Sequence, residues 1–597
     1  MARHYESTFV WEFDVPPSRI WTALADTQRF NEAAGLPRHV ISEETLADGR
    51  VRFHAEAPLG PLRLRWEEIP VEWIDGQWFR HLRVFENGPI RSIDARLQLT
   101  AEGRGCIGSY HLQATPANWL GHLLLASVFF PKARRNFTAL ALQGLEWAQG
   151  ERERMFGTEP RPPSGERQAR IGALIEKIED SGNGNGLTRR LADWILQAQE
   201  MDLMRIRPLH LARQWQEASR AVIEMCLQAV REGLLELRWD LLCPRCRGAK
   251  LTADSLDQLP REAHCPSCNI SYDRNFARNV ELCFRPAPVL RAVADGEYCL
   301  FGPMSTPHVK AQVRVEAGES RVCEARLAHG SYRLRTLEAG GESEIGYEGG
   351  PFPSLLAEAG SVTPGGFEGE GRIGFHNRED RALTLIIESR DWLADALTAH
   401  HVTTLQCFRD LFPDQLLAPG EEADISQVVL LFTDLKGSTA YYERVGDAAA
   451  YRAVRAHFSL LAGLVREHDG AIVKTIGDAV MAAFKDPADA VSAALAMQEQ
   501  IAKFAAAGRA GDFVLKLGLH MGPCIAVTLN ERLDYFGSTV NKAARLQNES
   551  LGGDIVLSEE MFLDPAVEKL LAAYDLNAEQ ALLRGFATPI AFRRLRQ

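Results

Sequence analysis

Residues 470–484 read GAIVKTIGDAVMAAF. Val473, Ile476, Val480, Met481 and Phe484 belong in a core, and Ile476-Gly477 interrupts the run, so the stretch predicts an apolar β-hairpin. Lys474 and Asp478, on either side of the turn, are its only charged side chains. A salt bridge that closes the turn is the plainest reason to place an ammonium and a carboxylate four residues apart. The alternative is that each serves a site built with neighbouring elements.

Working outward, residues 424–597 alternate in a βαββαβ order. QVVLLFTD (427–434) predicts a buried strand ending in an acid, and 438–468 a long helix. PADAVSAALAMQEQIAKFAA (487–506) predicts a second amphipathic helix, FVLKLGLHMG (513–522) a further strand, and STVNKAARLQNES (538–550) another helix. If the strands bearing Asp434 and Asp478 are neighbours, both acids project at one edge of the sheet. Two such acids repel, so one is protonated or a cation sits between them. Oxygen ligands beside the loop LKGST favour Mg²⁺ or Mn²⁺. Gly437 lets backbone N–H groups approach a phosphate at the next helix N-terminus. This is the layout of two-metal phosphoryl chemistry. Taken one at a time, each residue also has a bland reading. Asp434 and Asp478 are then surface acids at strand ends, Lys474 a partner of Asp478, and Asn541 and Arg545 an i,i+4 pair on an exposed helix face.

The motifs together resemble the class III nucleotidyl cyclases, the family of adenylate and guanylate cyclases, over essentially all of 424–597. FTDLKGST (432–439) is similar to the family's first metal motif, which implies Asp434 as a ligand, with the Leu435 carbonyl beside it. VKTIGDAVMA (473–482) is similar to the second, implying Asp478 on metal and Lys474 on the purine. LDYFGSTVNKAARL (533–546) resembles the substrate helix, implying Asp534 on the purine, Asn541 on the ribose and Arg545 on the phosphate. GLHMGP (518–523) resembles the strand between them. The resemblance implies a ferredoxin-like βαββαβ domain, two Mg²⁺ or Mn²⁺ per active site, and a homodimer with its sites between two catalytic domains. An Asp acceptor with a Lys donor suits adenine, so ATP is the expected substrate and cyclic AMP the product. A guanylate cyclase is one alternative. Another is a ligand- or DNA-responsive regulator whose cyclase-like domain only dimerises.

The rest of the chain reads as a multidomain α+β protein. Its 597 residues suggest roughly three to five domains of about 100–200 residues each. A net charge of −12 argues against general nucleic-acid binding. The N-terminus lacks an apolar signal segment. The longest apolar run, WLGHLLLASVFF (119–130), is too short to span a bilayer. A cytoplasmic protein without a membrane span is expected, and scattered cysteines fit a reducing compartment.

Residues 1–150 predict a helix over 16–33, several antiparallel strands and a closing helix over 132–149. VPPSRIWTALADTQRFNEAAGLP (15–37) resembles the start of the START-like (SRPBCC) superfamily, which implies an apolar small-molecule ligand between sheet and helix. A ligand-free scaffold is the other reading. A linker follows over 151–167, then a helical, winged-helix-like region over 168–240, in which SGNGNG (181–186) reads as a flexible turn. Cys243/Cys246 and Cys265/Cys268 are paired CxxC knuckles, the pattern of a zinc ribbon over 241–283 holding a structural Zn²⁺. Residues 284–390 read as a β-rich, sandwich-like domain in which His308 is structural. A coupling helix over 391–412 and a linker to 423 lead into the catalytic domain. The order also resembles bacterial cyclases that carry such a zinc-ribbon and β-rich region ahead of their catalytic domain.

Overall fold

The computed structural model describes residues 4–46, 51–59, 62–152, 154–157, 164–180, 186–245, 247–265, 270–288, 290–293, 299, 302–390, 396–418, 420–506 and 514–596. In the N-terminal lobe, strands Tyr5–Phe13, Gly105–Pro116, Ile90–Glu102 and Trp78–Phe85 lie side by side in that order. The helix Phe130–Gln149 packs on them, with Trp11 Nε1 donating to Thr138 Oγ1 at 3.4 Å. The single helix expected over 16–33 is two, Pro17–Leu24 and Thr27–Ala33. Asp26 breaks it, because its carboxylate accepts from Arg29 N–H at 3.0 Å and caps the second piece. Between helix and sheet, in the space expected to hold a ligand, Phe9, Phe30, Tyr110 and Phe137 pack with centroids 5.3 to 6.4 Å apart.

The expected divide between 1–150 and 284–390 does not exist in the sheet. Strand Glu72–Ile74 pairs with Val309–Val315 through Trp73↔Gln312 and Ile74↔Ala311, joining both regions into one twelve-stranded sheet. Buried Gln312 donates from Nε2 to Val71 O at 2.6 Å, and Trp73 Nε1 donates to Val309 O at 3.2 Å. A three-residue strand is too short to show a hydrophobic period, so the junction left no trace in the sequence pattern. A second sheet of strands Ser320–Glu324, Arg372–Asn377, Pro353–Glu358 and Ser361–Phe367 completes a sandwich around Val313, Leu355, Phe375 and Ile387.

Two buried charge clusters brace this shared sheet. Glu388 accepts from Arg333 and from Arg335 Nε, the latter at 2.9 Å. Burial works against the Glu388 carboxylate, but the two guanidinium groups outweigh it and hold its pKa below the usual range. His308 lies buried near this cluster, and burial lowers its pKa to about 4, so it is a neutral core histidine. Glu68 accepts from Trp66 Nε1, from Arg83 Nε at 3.1 Å and from His81 Nε2 at 2.6 Å.

The middle of the chain packs helices Gly165–Asp180, Leu187–Gln197, Pro208–Trp215 and Ser219–Arg231 against a three-stranded sheet of Leu235–Leu242, Ala249–Ala253 and Val280–Pro286. Residues 181–185 of the predicted turn lie outside the described residues. The helix expected over 391–412 is also two short ones, Ala399–Thr403 and Gln406–Leu411, with 391–395 outside the described residues. Thr403 and Thr404 Oγ1 donate back to Ala399 O at 2.7 Å and His401 O at 2.8 Å, competing with the helical ladder where it stops.

The C-terminal sheet runs Gly470–Ile476, Ala479–Phe484, Glu422–Lys436, Val514–Leu529, Asp554–Ser558, Ile590–Arg596, Leu576–Ala581, with Arg532–Phe536 paired to Val514–Leu529. The central strand is a continuous apolar run because both its faces are covered. Val429, Leu431 and Leu435 enter the core beneath helices Asp447–Glu467 and Pro487–Ala506. Val428, Leu430 and Phe432 face the other way, into the core shared with residues 171–425. The long helix expected over 438–468 breaks at Gly446 (φ 80°) into Ser438–Val445 and Asp447–Glu467. No helix among the described residues is long and apolar enough to cross a membrane.

Candidate functional site

The hairpin and the central strand converge at one edge of the sheet. Phe432 pairs with Met481, and Thr433 Oγ1 accepts from Val480 N–H at 3.0 Å. This places Asp434 and Asp478, both half-buried, at the ends of adjacent strands. Gly477 (φ 66°) turns the chain between Lys474 and Asp478 in a conformation that other residues adopt at a penalty. Burial first, and then the Asp478 charge, raise the Asp434 pKa above the ordinary aspartate value. Asp478 Oδ2 is buried and accepts no hydrogen bond among the described residues. A buried carboxylate oxygen without a donor, facing a second carboxylate, is the donor set a divalent cation requires, so Asp434 and Asp478 fit a Mg²⁺ or Mn²⁺ site.

Lys474 does not bond to Asp478. Its ammonium lies 2.6 Å from Asp534 Oδ2, and Asp534 Oδ1 accepts from Tyr535 N–H at 2.8 Å. Asp534 is buried on the short strand Arg532–Phe536, opposite Val527, and the pair forms a wall with one donor and one acceptor. Helix Ser538–Glu549 lies directly on the strand Val514–Leu529, because Gly518 leaves room where a Cβ would run into the Gln547 backbone. On this helix Asn541 is exposed and Arg545 half-buried, and no ion pair among the described residues holds the Arg545 guanidinium. Lys474 and Asp534 are thus brought together, as are Asp434 and Asp478.

Sequence patterns did not point to the residues that brace this wall. Arg409, on Gln406–Leu411, donates from Nη1 to Leu533 O at 2.9 Å and from Nη2 to Tyr535 Oη at 3.3 Å, gripping both neighbours of Asp534. Its Nε donates to Thr403 O at 2.7 Å. Gln406 Oε1 accepts from Ile472 N–H at 2.7 Å, two residues before Lys474. These contacts cross long stretches of chain, so no local pattern marks them. His457 was also missed. It is buried on helix Asp447–Glu467, and burial lowers its pKa to about 4 against the pull of Asp478.

Of the four knuckle cysteines, Cys243 and Cys265 are buried in the core of the middle region. Arg245 N–H donates to Cys243 Sγ at 3.4 Å. Cys246 and Cys268 lie outside the described residues. A further cluster groups Cys299 with His81 and Glu68, with Cys299 Sγ 4.0 Å from His81 Nδ1. The Glu68 carboxylate already accepts from Trp66, Arg83 and His81, which makes this an ion-pair network of the fold. Burial alone would favour neutral His81, but the Cys299 and Glu68 charges overcome it and raise its pKa to about 9.

Comparison with known proteins bears on this edge of the sheet. Residues 421–570 match the adenylate and guanylate cyclase catalytic domain. That match supports a cyclase catalytic domain at the C-terminus. Residues 169–299 match a family of unknown function, DUF5939, which spans the helical region and the cysteine knuckles as one unit. An adenylate cyclase of Mycosarcoma maydis is 30% identical over 171 residues, 25% of this chain and 7% of its own length. Adenylate cyclase 1 of Rhizobium meliloti is 32% identical over 155 residues, 23% of this chain and 23% of its own length. The chain therefore matches less than a quarter of either relative. The crystal structure of the adenylyl cyclase CyaB from P. aeruginosa is 23% identical, covering 30% of this chain and 96% of its own, with a TM-score of 0.27.

Proposed function

We propose that the C-terminal domain converts ATP to 3′,5′-cyclic AMP and pyrophosphate at a site formed between two copies of the chain. The observation that carries this reading is the pair Asp434 and Asp478, with a buried carboxylate oxygen that no group among the described residues satisfies. Asp434 and Asp478, beside the Leu435 carbonyl, would hold two Mg²⁺ or Mn²⁺, which when bound acidify the 3′-hydroxyl and neutralise the triphosphate. Lys474 donates to adenine N1, and Asp534 accepts from the 6-amino group. Their mutual ion pair supports a shared role on one ring. Asn541 orients the ribose, a positioning contribution. Arg545 faces the charge that builds on the α-phosphoryl oxygens, and in phosphoryl transfer such an arginine is worth about 10³–10⁵ in rate. One protomer supplies Asp434 and Asp478, and its partner supplies Lys474, Asp534, Asn541 and Arg545.

The test is direct. Purified protein with Mn²⁺ is incubated with ATP and, separately, with GTP, and the products are separated by chromatography. Absence of cyclic AMP sinks the reading, and faster turnover of GTP makes it a guanylate cyclase. Mixing Asp434→Ala with Arg545→Ala chains restores activity if the site is composite, and restores nothing if it is not.

The upstream regions are proposed to regulate this site. Arg409 and Gln406, which touch the strands of Lys474 and Asp534, support that role. The N-terminal lobe is read as a START-like module, supported by the helix laid across its sheet. Cys243, Cys246, Cys265 and Cys268 are proposed to bind one structural Zn²⁺, and metal analysis of Cys243→Ser, which should lose it, checks this.

A further inference from the structure

The apolar run Trp119–Phe130 takes no part in the chemistry above. It forms the helix Trp119–Leu124 and one π-helical turn, Leu125–Phe129, leading into Phe130–Gln149. Its inner side is fixed to the lobe, because Leu125 and Phe130 are buried and Gly121 fits so closely against the Pro89 carbonyl that a Cβ there would collide. Its outer side is apolar and open to solvent. Trp119 is 77% exposed, Leu123 57%, Val128 55% and Leu120 44%. Single exposed apolar residues are ordinary, but three on one short helix and a fourth on the turn that continues it mark an interaction surface.

Charge indicates what the surface meets. Residues 115–145 contain no Asp or Glu in a chain whose net charge is −12. Immediately after the apolar helix come exposed Lys132, Arg134 and Arg135. Arg91, also exposed, lies beside the helix entry, where Ile90 pairs with Pro116. An apolar helix face with Trp at its start and cations along its margin suits an interfacial helix. Such a helix buries its face among acyl chains and sets its cations against anionic headgroups. It lies on a membrane and does not cross it.

We propose that the 119–135 segment docks the N-terminal lobe onto anionic lipid surfaces. The test is co-sedimentation of the full chain with vesicles of phosphatidylcholine containing about 30% phosphatidylserine, and with phosphatidylcholine alone, where each cation is worth roughly five-fold in partitioning. Binding is expected only with phosphatidylserine and is expected to fall steeply at about 0.5 M salt. The double variant Trp119→Ser/Leu123→Ser should lose more than ten-fold. Lys132→Glu/Arg135→Glu should lose at least as much, with unchanged melting temperatures, since all four side chains are exposed. Three results would each overturn the proposal: no sedimentation of the wild-type chain, binding that neither variant weakens, or a wild-type dimer that Trp119→Ser/Leu123→Ser splits. The last would assign the surface to a second copy.

Discussion

Two groups of acids in this molecule, one buried and one half-buried, contrast sharply. Glu388, between Arg333 and Arg335, has every charge answered by the protein, and its pKa is depressed. Asp434 faces another acid, its pKa is raised, and its neighbour Asp478 keeps a buried oxygen without a donor among the described residues. Both groups sit on sheet strands or at the turn that joins them, and Glu388 and Asp434 both pay the desolvation that burial imposes. A satisfied cluster specifies the fold, whereas an unsatisfied one is held in place by the rest of the fold and is free to bind something else.

The largest expected effect tests that difference in function. Asp478→Ala should reduce cyclase activity by about 10³-fold or more, roughly 4 kcal/mol in the barrier, while leaving the melting temperature equal or higher. A destabilised variant would show that Asp478 serves the fold. Glu388→Gln should do the reverse, because removing one partner of a buried ion pair strands the two guanidiniums at a cost of about 3–5 kcal/mol. Chemical denaturation measures this, and a change below about 1 kcal/mol would erase the contrast.

A smaller effect concerns the bracing of the purine wall. Arg409→Ala should raise the KM for ATP about ten-fold, roughly 1.4 kcal/mol, with kcat less affected, and Arg409→Lys should recover only part of it. Equal losses in kcat alone would refute a positioning role. Adding Mn²⁺ should raise the melting temperature of the wild-type chain by a few degrees and do less for Asp434→Asn, because binding to the folded state stabilises it.

The smallest effect concerns pH. The His81 pKa is raised from 6.5 to about 9 by Cys299 and Glu68 against burial, so their stabilisation of the imidazolium contributes fully below about pH 6.5 and is lost as pH rises through 9. The melting temperature of the protein should fall over that window and stay flatter in His81→Gln. A wild-type profile flat from pH 6.5 to 9 would show that the pair is not felt.

The two groups also differ in how visible they were in the sequence. The acids at 434 and 478 stand out because the apolar run VVLLF is followed, after Thr433, by Asp434, and AVMAAF begins directly after Asp478. The Glu388 cluster, with partners 53 and 55 residues away, left no pattern. The hairpin itself was legible, but the partner of Lys474 was not. Four residues separate it from Asp478 and 60 from Asp534, and only the sheet order brings the latter close. Helix interiors were similarly readable while their breaks at Asp26, Gly446 and Thr403–Thr404 were not, because one cap, one glycine or two hydroxyls decided each. Arg409 illustrates the general limit. It sits on a six-residue helix and acts on a strand 124 residues downstream.

The union of strand Glu72–Ile74 with Val309–Val315 has a consequence for how the protein is made. Gln312 and Val71 are 241 residues apart. At a synthesis rate of about 5–20 residues per second, a ribosome needs roughly 10–50 s to deliver the second strand after the first. Throughout that interval the first lobe has an open strand edge beside Trp73, able to pair with the wrong chain. A polysome crowded with such half-finished sheets is where this protein is most exposed to misassembly, and where a chaperone has most to protect.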